Sequence, residues 1–119
     1  MNLRLETRSV DSKVSIIDLQ GEIDVFTAPQ LKQRILEMLD QGVIHLIVNL
    51  SGVEYLDSAA LGVLIGGLKR LRERDGSLSI ICPNMRIKRI FEITGLDKIF
   101  DIYATEGEAV KSLKAKEVS

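Results

Sequence analysis

Ile44-His45-Leu46-Ile47-Val48-Asn49-Leu50, followed at a distance by Asp57-Ser58-Ala59-Ala60-Leu61-Gly62, decides how this chain folds. The first run is nearly all apolar, as a central strand covered on both faces must be. The second opens a segment in which Leu61, Leu64, Ile65, Leu68 and Leu71 recur at helical spacing. The pair reads as a strand from Ile44 to Leu50, a short loop, and a helix that starts at Asp57-Ser58. The first turn of a helix leaves backbone N–H groups without partners. Aspartate and serine both accept from such groups, so one of the two is expected to cap. The same helix end carries partial positive charge, so a phosphate on Ser58 would be tolerated there without unfolding anything. The plainer reading makes Ser58 an N-cap and nothing more.

The same alternation continues toward the N-terminus. Val14 to Leu19 reads as a strand ended by Gly21, and Leu3 and Leu5 alternate with polar neighbours as on a half-buried edge strand. A turn around Asp11-Ser12 predicts that these two strands form an antiparallel hairpin. Thr27-Ala28-Pro29-Gln30 has the pattern of a capping box with proline in the first turn. Leu31, Ile35, Met38 and Leu39 supply that helix's apolar stripe, and Gly42 its stop.

Toward the C-terminus, Lys69, Arg70, Arg72 and Arg74 gather where cations complement the helix dipole. Gly62, Gly66 and Gly67 each weaken that helix by about 1 kcal/mol relative to alanine, so something is expected to pack close. For Gly66 or Gly67 the sheet is the expected neighbour, and for Gly62 a partner protein is an equal candidate. Leu78 to Cys82 is a further strand, and Ile87, Ile90 and Phe91 mark a helix ending at Gly95, with Leu96 folding back. Phe100 to Tyr103 is a short strand. Thr105-Glu106-Gly107-Glu108 is a second capping box, opening a helix with Ala109, Val110 and Leu113 inward, and the tail after about Lys114 is expected to fray. Strands alternating with helices predict one α/β domain over residues 1–119, a mixed β-sheet with helices packed against it.

Composition narrows the function. The 119 residues are 45% hydrophobic but only 4% aromatic, with no Trp, so the core is built from Ile, Leu and Val. Sixteen basic residues face 17 acidic ones, a balance that favours neither nucleic acid nor an anionic membrane as partner. The lone Cys82 excludes an intramolecular disulfide and a multi-cysteine metal site, and its apolar run suggests a buried thiol. No apolar stretch reaches membrane-spanning length and Met1-Asn2-Leu3-Arg4 does not begin a signal peptide, which predicts a soluble cytoplasmic protein. His45, the only histidine, stands at the start of its strand, roughly 15–17 Å from the far end at about 3.3 Å per residue. A Ser–His pair with Ser58 is therefore not expected. There is no metal-ligand spacing and no phosphate-binding glycine loop. Asp18, Glu22, Asp24 and Asp57 read as solvated carboxylates at strand ends and loops. These residues predict no enzyme, no cofactor and no metal.

Larger blocks carry a resemblance. Gly21-Glu22-Ile23-Asp24 with Ala28-Pro29 and Leu31, Val48-Asn49-Leu50-Ser51-Gly52-Val53, and Tyr55-Leu56-Asp57-Ser58 lie in one order. They are followed by Leu61-Gly62-Val63-Leu64, Arg89-Ile90-Phe91 and Leu96-Asp97-Lys98-Ile99-Phe100. In these segments, which span nearly the whole chain, the protein resembles a bacterial anti-sigma factor antagonist, a single STAS domain. The segment around Asp57-Ser58 is the specific part.

The resemblance implies a switch. The serine after the aspartate would be phosphorylated by an anti-sigma factor that is also a serine kinase. Binding of the unphosphorylated antagonist to that kinase would release the sigma factor, phosphorylation would block the binding, and a serine phosphatase would restore it. Ser58 would be the phosphoacceptor. The partner-binding surface would comprise Asp57, Ser58, Ala59, Ala60 and Gly62, with Gly21, Glu22, Ile23 and Asp24 as an adjacent loop. Ala59-Ala60 departs from the family, where a second hydroxyl residue and a glycine often follow the serine, and leaves Ser58 the only hydroxyl in the motif. Two other uses of the domain stay open: a non-switching subunit of a scaffold or lipid-transport assembly, and a small-ligand-binding module near the same helix end. An enzyme of an unrecognised kind ranks last.

Overall fold

Alternating apolar residues build a sheet whose two faces are covered unequally. The computed structural model describes residues 2–118, and side chains as far as residue 115. Five strands, β1 (Leu3–Ser9), β2 (Val14–Ile23), β3 (His45–Leu56), β4 (Ser77–Ile81) and β5 (Asp101–Tyr103), lie in the order β1-β2-β3-β4-β5. β1 and β2 pair antiparallel through the expected hairpin, and every other neighbouring pair is parallel. The helices are α1 (Ala28–Asp40), α2 (Ser58–Arg72), α3 (Met85–Ile93) and α4 (Glu106–Val118), with a 3-10 turn at Leu96–Lys98. The tail expected to fray after about Lys114 is instead helical as far as Val118.

The period of two along each strand sorts the core into two clusters. Ile17 and Leu19 of β2, Leu46, Val48 and Leu50 of β3, and Leu78 and Ile80 of β4 pack beneath α1, α2 and α3. Val14, Ile16, Ile47 and Ile81 point the other way and meet Ala109 and Leu113 of α4. α4 covers only part of that second face. On the rest, Arg8 bridges Asp18 and Glu106, and Asn49 donates to Asp18 at 2.8 Å. Arg8 holds the Asp18 carboxyl below the usual carboxylate range. α2 packs on the sheet at Gly67, where a Cβ would stand 3.3 Å from the Leu78 methyl and 3.5 Å from Ile35. Space is open at Gly62, so the close packing belongs to Gly67. Two of the four cations at the end of α2 are engaged rather than merely solvated. Arg74 donates to the Leu39 carbonyl at 2.7 Å and Arg72 to that of Ile99 at 3.3 Å.

Three local expectations give way to tertiary partners. β3 does not end at Leu50 but continues to Leu56, because β2 also continues and the two stay paired as far as Ile23 opposite Leu56. On its other side β3 pairs with β4 only to Asn49, so its second half overhangs the sheet. Gly21 does not end β2. It takes φ +108°, where any Cβ would collide with the Asn2 carbonyl, and the register shifts between Gly21 and Glu22. Thr27 forms no capping box: its hydroxyl donates to the Glu22 carbonyl and accepts the Asp24 N–H, each at 2.9 Å. The second box forms in part, with Thr105 accepting the Glu108 N–H at 3.2 Å.

Candidate functional site

β2 and β3 end side by side, and the Asp57 N–H donates to the Ile23 carbonyl at 3.2 Å. Two connections therefore leave one edge of the sheet together, residues 24–27 into α1 and Asp57 into α2. Asp57 is extended, with φ −123° and ψ −169°. Its Oδ1 accepts the Ala59 N–H at 2.9 Å and the Ala60 N–H at 3.3 Å. The aspartate is the cap. Ser58 takes the first helical position, exposed and without a side-chain hydrogen bond among the described residues. Its hydroxyl thus sits at the positive end of a fifteen-residue helix with no structural duty.

That division of roles has a direct check. In urea unfolding, Asp57→Ala is expected to lose about 1 kcal/mol of stability and Ser58→Ala nothing measurable. A loss for Ser58→Ala as large as that for Asp57→Ala would return the capping role to the serine.

The neighbouring connection is held from within. Asp24 is buried, and its Oδ1 accepts the Phe26 N–H at 2.9 Å and the Thr27 N–H at 3.0 Å. Its other oxygen is buried without a partner among the described residues. Burial opposes the charge, but the bonds from Thr27 and Phe26 outweigh it and keep the carboxyl below the usual range. Asp24 is thus a loop-shaping acid, not the solvated carboxylate expected of it. Nor do Gly21 to Asp24 form a loop, since the first three complete β2.

Among the expected docking residues, Ser58 and Gly62 are exposed, and Gly21, Glu22, Asp57 and Ala59 are partly so. Ile23 and Ala60 have no exposed surface, because strand alternation turns Ile23 inward and Ala60 lies on the same inward stripe as Leu64, Leu68 and Leu71. These two can only shape the surface from beneath. A shallow groove lined by Lys32, Gly62, Val63, Gly66 and Arg70 runs between α1 and α2. Two residues escaped the sequence reading. Val25 and Phe26, at the tip of the α1 connection, are 61% and 79% exposed. The available signal was an apolar pair in a loop that no stripe required.

His45 bonds Ser77 at 2.8 Å, at the opposite end of β3 from Ser58. Cys82 is buried as expected, and burial pushes its thiol above the ordinary range. Among the described residues no group of three or more His, Cys, Asp or Glu could hold a metal, and no helix is long and apolar enough to cross a membrane.

A mixed five-stranded sheet has three helices on one face and an exposed serine at a helix start capped by Asp57. The chain belongs to the STAS domain family, whose model matches residues 6–109. An anti-sigma-B factor antagonist of Staphylococcus aureus is 40% identical over 111 residues, which is 93% of this chain and the whole of that protein. The crystal structure of an anti-sigma factor antagonist from Mycobacterium paratuberculosis superposes with a TM-score of 0.82 at 32% identity, covering 95% of each chain. The Bacillus protein SpoIIAA shares the fold in both of its forms. The unphosphorylated form gives a TM-score of 0.82 at 24% identity, over 94% of this chain and 97% of that one. The phosphorylated form gives 0.73 at 23%, over 92% and 99%.

Proposed function

We propose that this protein is an anti-sigma factor antagonist whose unphosphorylated form binds an anti-sigma factor and so releases a sigma factor. In this reading the anti-sigma factor is also a serine kinase. It transfers the γ-phosphoryl group of ATP to the Ser58 oxygen, with ADP leaving and the hydroxyl proton passing to a base on the kinase. A serine phosphatase removes the phosphate and restores binding. The observation that carries the proposal is the exposed, unbonded Ser58 beside a cap that Asp57 supplies alone. The names of the relatives support the antagonist role. The scaffold alternative gives Ser58 only a capping role, and Asp57 already fills that role.

The physics of the switch lies at the interface. Phosphate adds about −1.5 to −2 charges, and the helix start favours them by about 0.3–1 kcal/mol, so the domain keeps its shape. A partner packed against a neutral hydroxyl meets bulk and an unmatched dianion instead. The protein acts by stoichiometric binding in the cytoplasm, with no reaction of its own, no cofactor or metal, and no nucleic acid or membrane as partner.

The test is to incubate the purified protein with ATP and a lysate of its own host and to map phosphate by mass spectrometry. One phosphate on Ser58, absent from Ser58→Ala, is the expected result. Phosphate on Ser77 or Thr94 with Ser58 unmodified would overturn the proposal. Both of those hydroxyls are already engaged, Ser77 with His45 and Thr94 with the Ile90 carbonyl.

A further inference from the structure

Of the seven large hydrophobic side chains exposed among the described residues, four stand at the end of the sheet that carries Ser58. Val25 and Phe26 follow β2, Tyr55 (47% exposed) is the last residue but one of β3, and Met85 (71%) begins the helix after β4. Val10, by contrast, sits in the hairpin turn at the far end of β2, Ile93 (76%) closes α3, and Ile99 (38%) follows the 3-10 turn. From Val25 to Gln30 the chain carries no charge, and Val25, Phe26, Pro29 and Gln30 are all exposed there. The one carboxylate of the loop, Asp24, is buried and engaged with the backbone beneath the tip.

This tip is rigid before any partner arrives. Asp24 accepts two N–H groups through its carboxylate, and its carbonyl accepts the Ala28 N–H at 2.7 Å. Thr27 closes the loop back onto Glu22. A preorganised aromatic loses little freedom on binding, which is what an anchor residue requires. The Asp57–Ile23 bond sets this loop and Ser58 on neighbouring strand ends, so the two are parts of one surface.

We infer that Val25 and Phe26 are the apolar anchor by which the chain grips its anti-sigma factor, Phe26 entering an uncharged pocket on that partner next to the place that receives Ser58. The inference rests on the antagonist reading and adds a second element to it. Phe26 is presented in either phosphorylation state of the free protein, and Ser58 decides whether the surface can close. A nucleic acid or an anionic membrane would need cations around the tip, and the tip has none.

The experiment is calorimetric titration of the purified anti-sigma factor of its own host with wild type, Phe26→Ala, Phe26→Tyr and Ser58→Ala. Phe26→Ala is expected to bind at least about 30-fold more weakly, and Phe26→Tyr within about threefold of wild type. All variants are expected to melt like wild type, since Phe26 lies outside the core. Wild-type affinity for Phe26→Ala would overturn the anchor and leave the antagonist reading standing. No binding by wild type itself would overturn the antagonist reading and the anchor with it. A wild-type dimer that Phe26→Ala dissolves, with partner affinity unchanged, would assign the tip to a second copy of the chain and likewise overturn the inference.

Discussion

Ser58→Glu is expected to bind the anti-sigma factor about 100-fold more weakly than Ser58→Ala, which binds like wild type. Alanine keeps the uncharged, compact surface of the unmodified serine, and Asp57 keeps the cap, so neither binding nor folding loses anything. Glutamate suits a helix start and folds normally. It then presents a charge to a surface matched to a hydroxyl. A hundredfold change corresponds to about 2.7 kcal/mol, the scale of one unmatched buried charge at an interface. Calorimetric titration of both variants, with nucleotide present, decides the matter. Equal affinities would remove Ser58 from the interface and leave the scaffold reading in its place.

The largest expected loss of stability lies in the core. Phe91 of α3 is fully buried and meets Phe100 edge-to-face, with ring centroids 6.0 Å apart. In a chain with so few aromatic side chains, no other ring can fill the space between α3 and the turn before β5. Phe91→Ala is expected to cost about 3–5 kcal/mol, a large fraction of the 5–15 kcal/mol typical of a whole domain. The measurement is a urea midpoint by circular dichroism. A loss below about 1 kcal/mol would mean that this end of the core is not close-packed.

Most of the architecture was legible because it follows from periodicity. The apolar runs of β2, β3 and β4 and the stripes of α1 and α2 are local patterns, and the structure keeps them. What was not legible depended on partners distant in sequence. Ser51 to Tyr55 looks like a loop, yet it is strand because β2 runs on beside it. Thr27 has the neighbours of a capping residue, but Glu22 and Asp24 compete for its hydroxyl and win. At the site, the position of Ser58 was legible, while the choice of cap was not. Aspartate and serine cap about equally well, so only geometry separates them. Ala60 could have been recognised as buried from its spacing to Leu64 and Leu68. The exposure of Phe26 was signalled only by an apolar pair that no stripe required, since its placement arises from a loop whose shape is fixed by the buried Asp24.

The overhang of β3 bears on how the protein behaves when crowded. Past Asn49 the strand has no paired strand on its β4 side among the described residues, and its backbone there is a template onto which another chain could zip. Arg86 reaches over from α3 to the Glu54 carbonyl at 2.9 Å, and Ile87 and Ile90 flank the same cleft. One guanidinium thus occupies an acceptor that an invading strand would need, and the Glu54 carboxylate beside it is exposed. The arrangement leaves one acceptor fewer for a second strand to pair with and sets a charge beside it, which disfavours edge-to-edge pairing between copies of the chain.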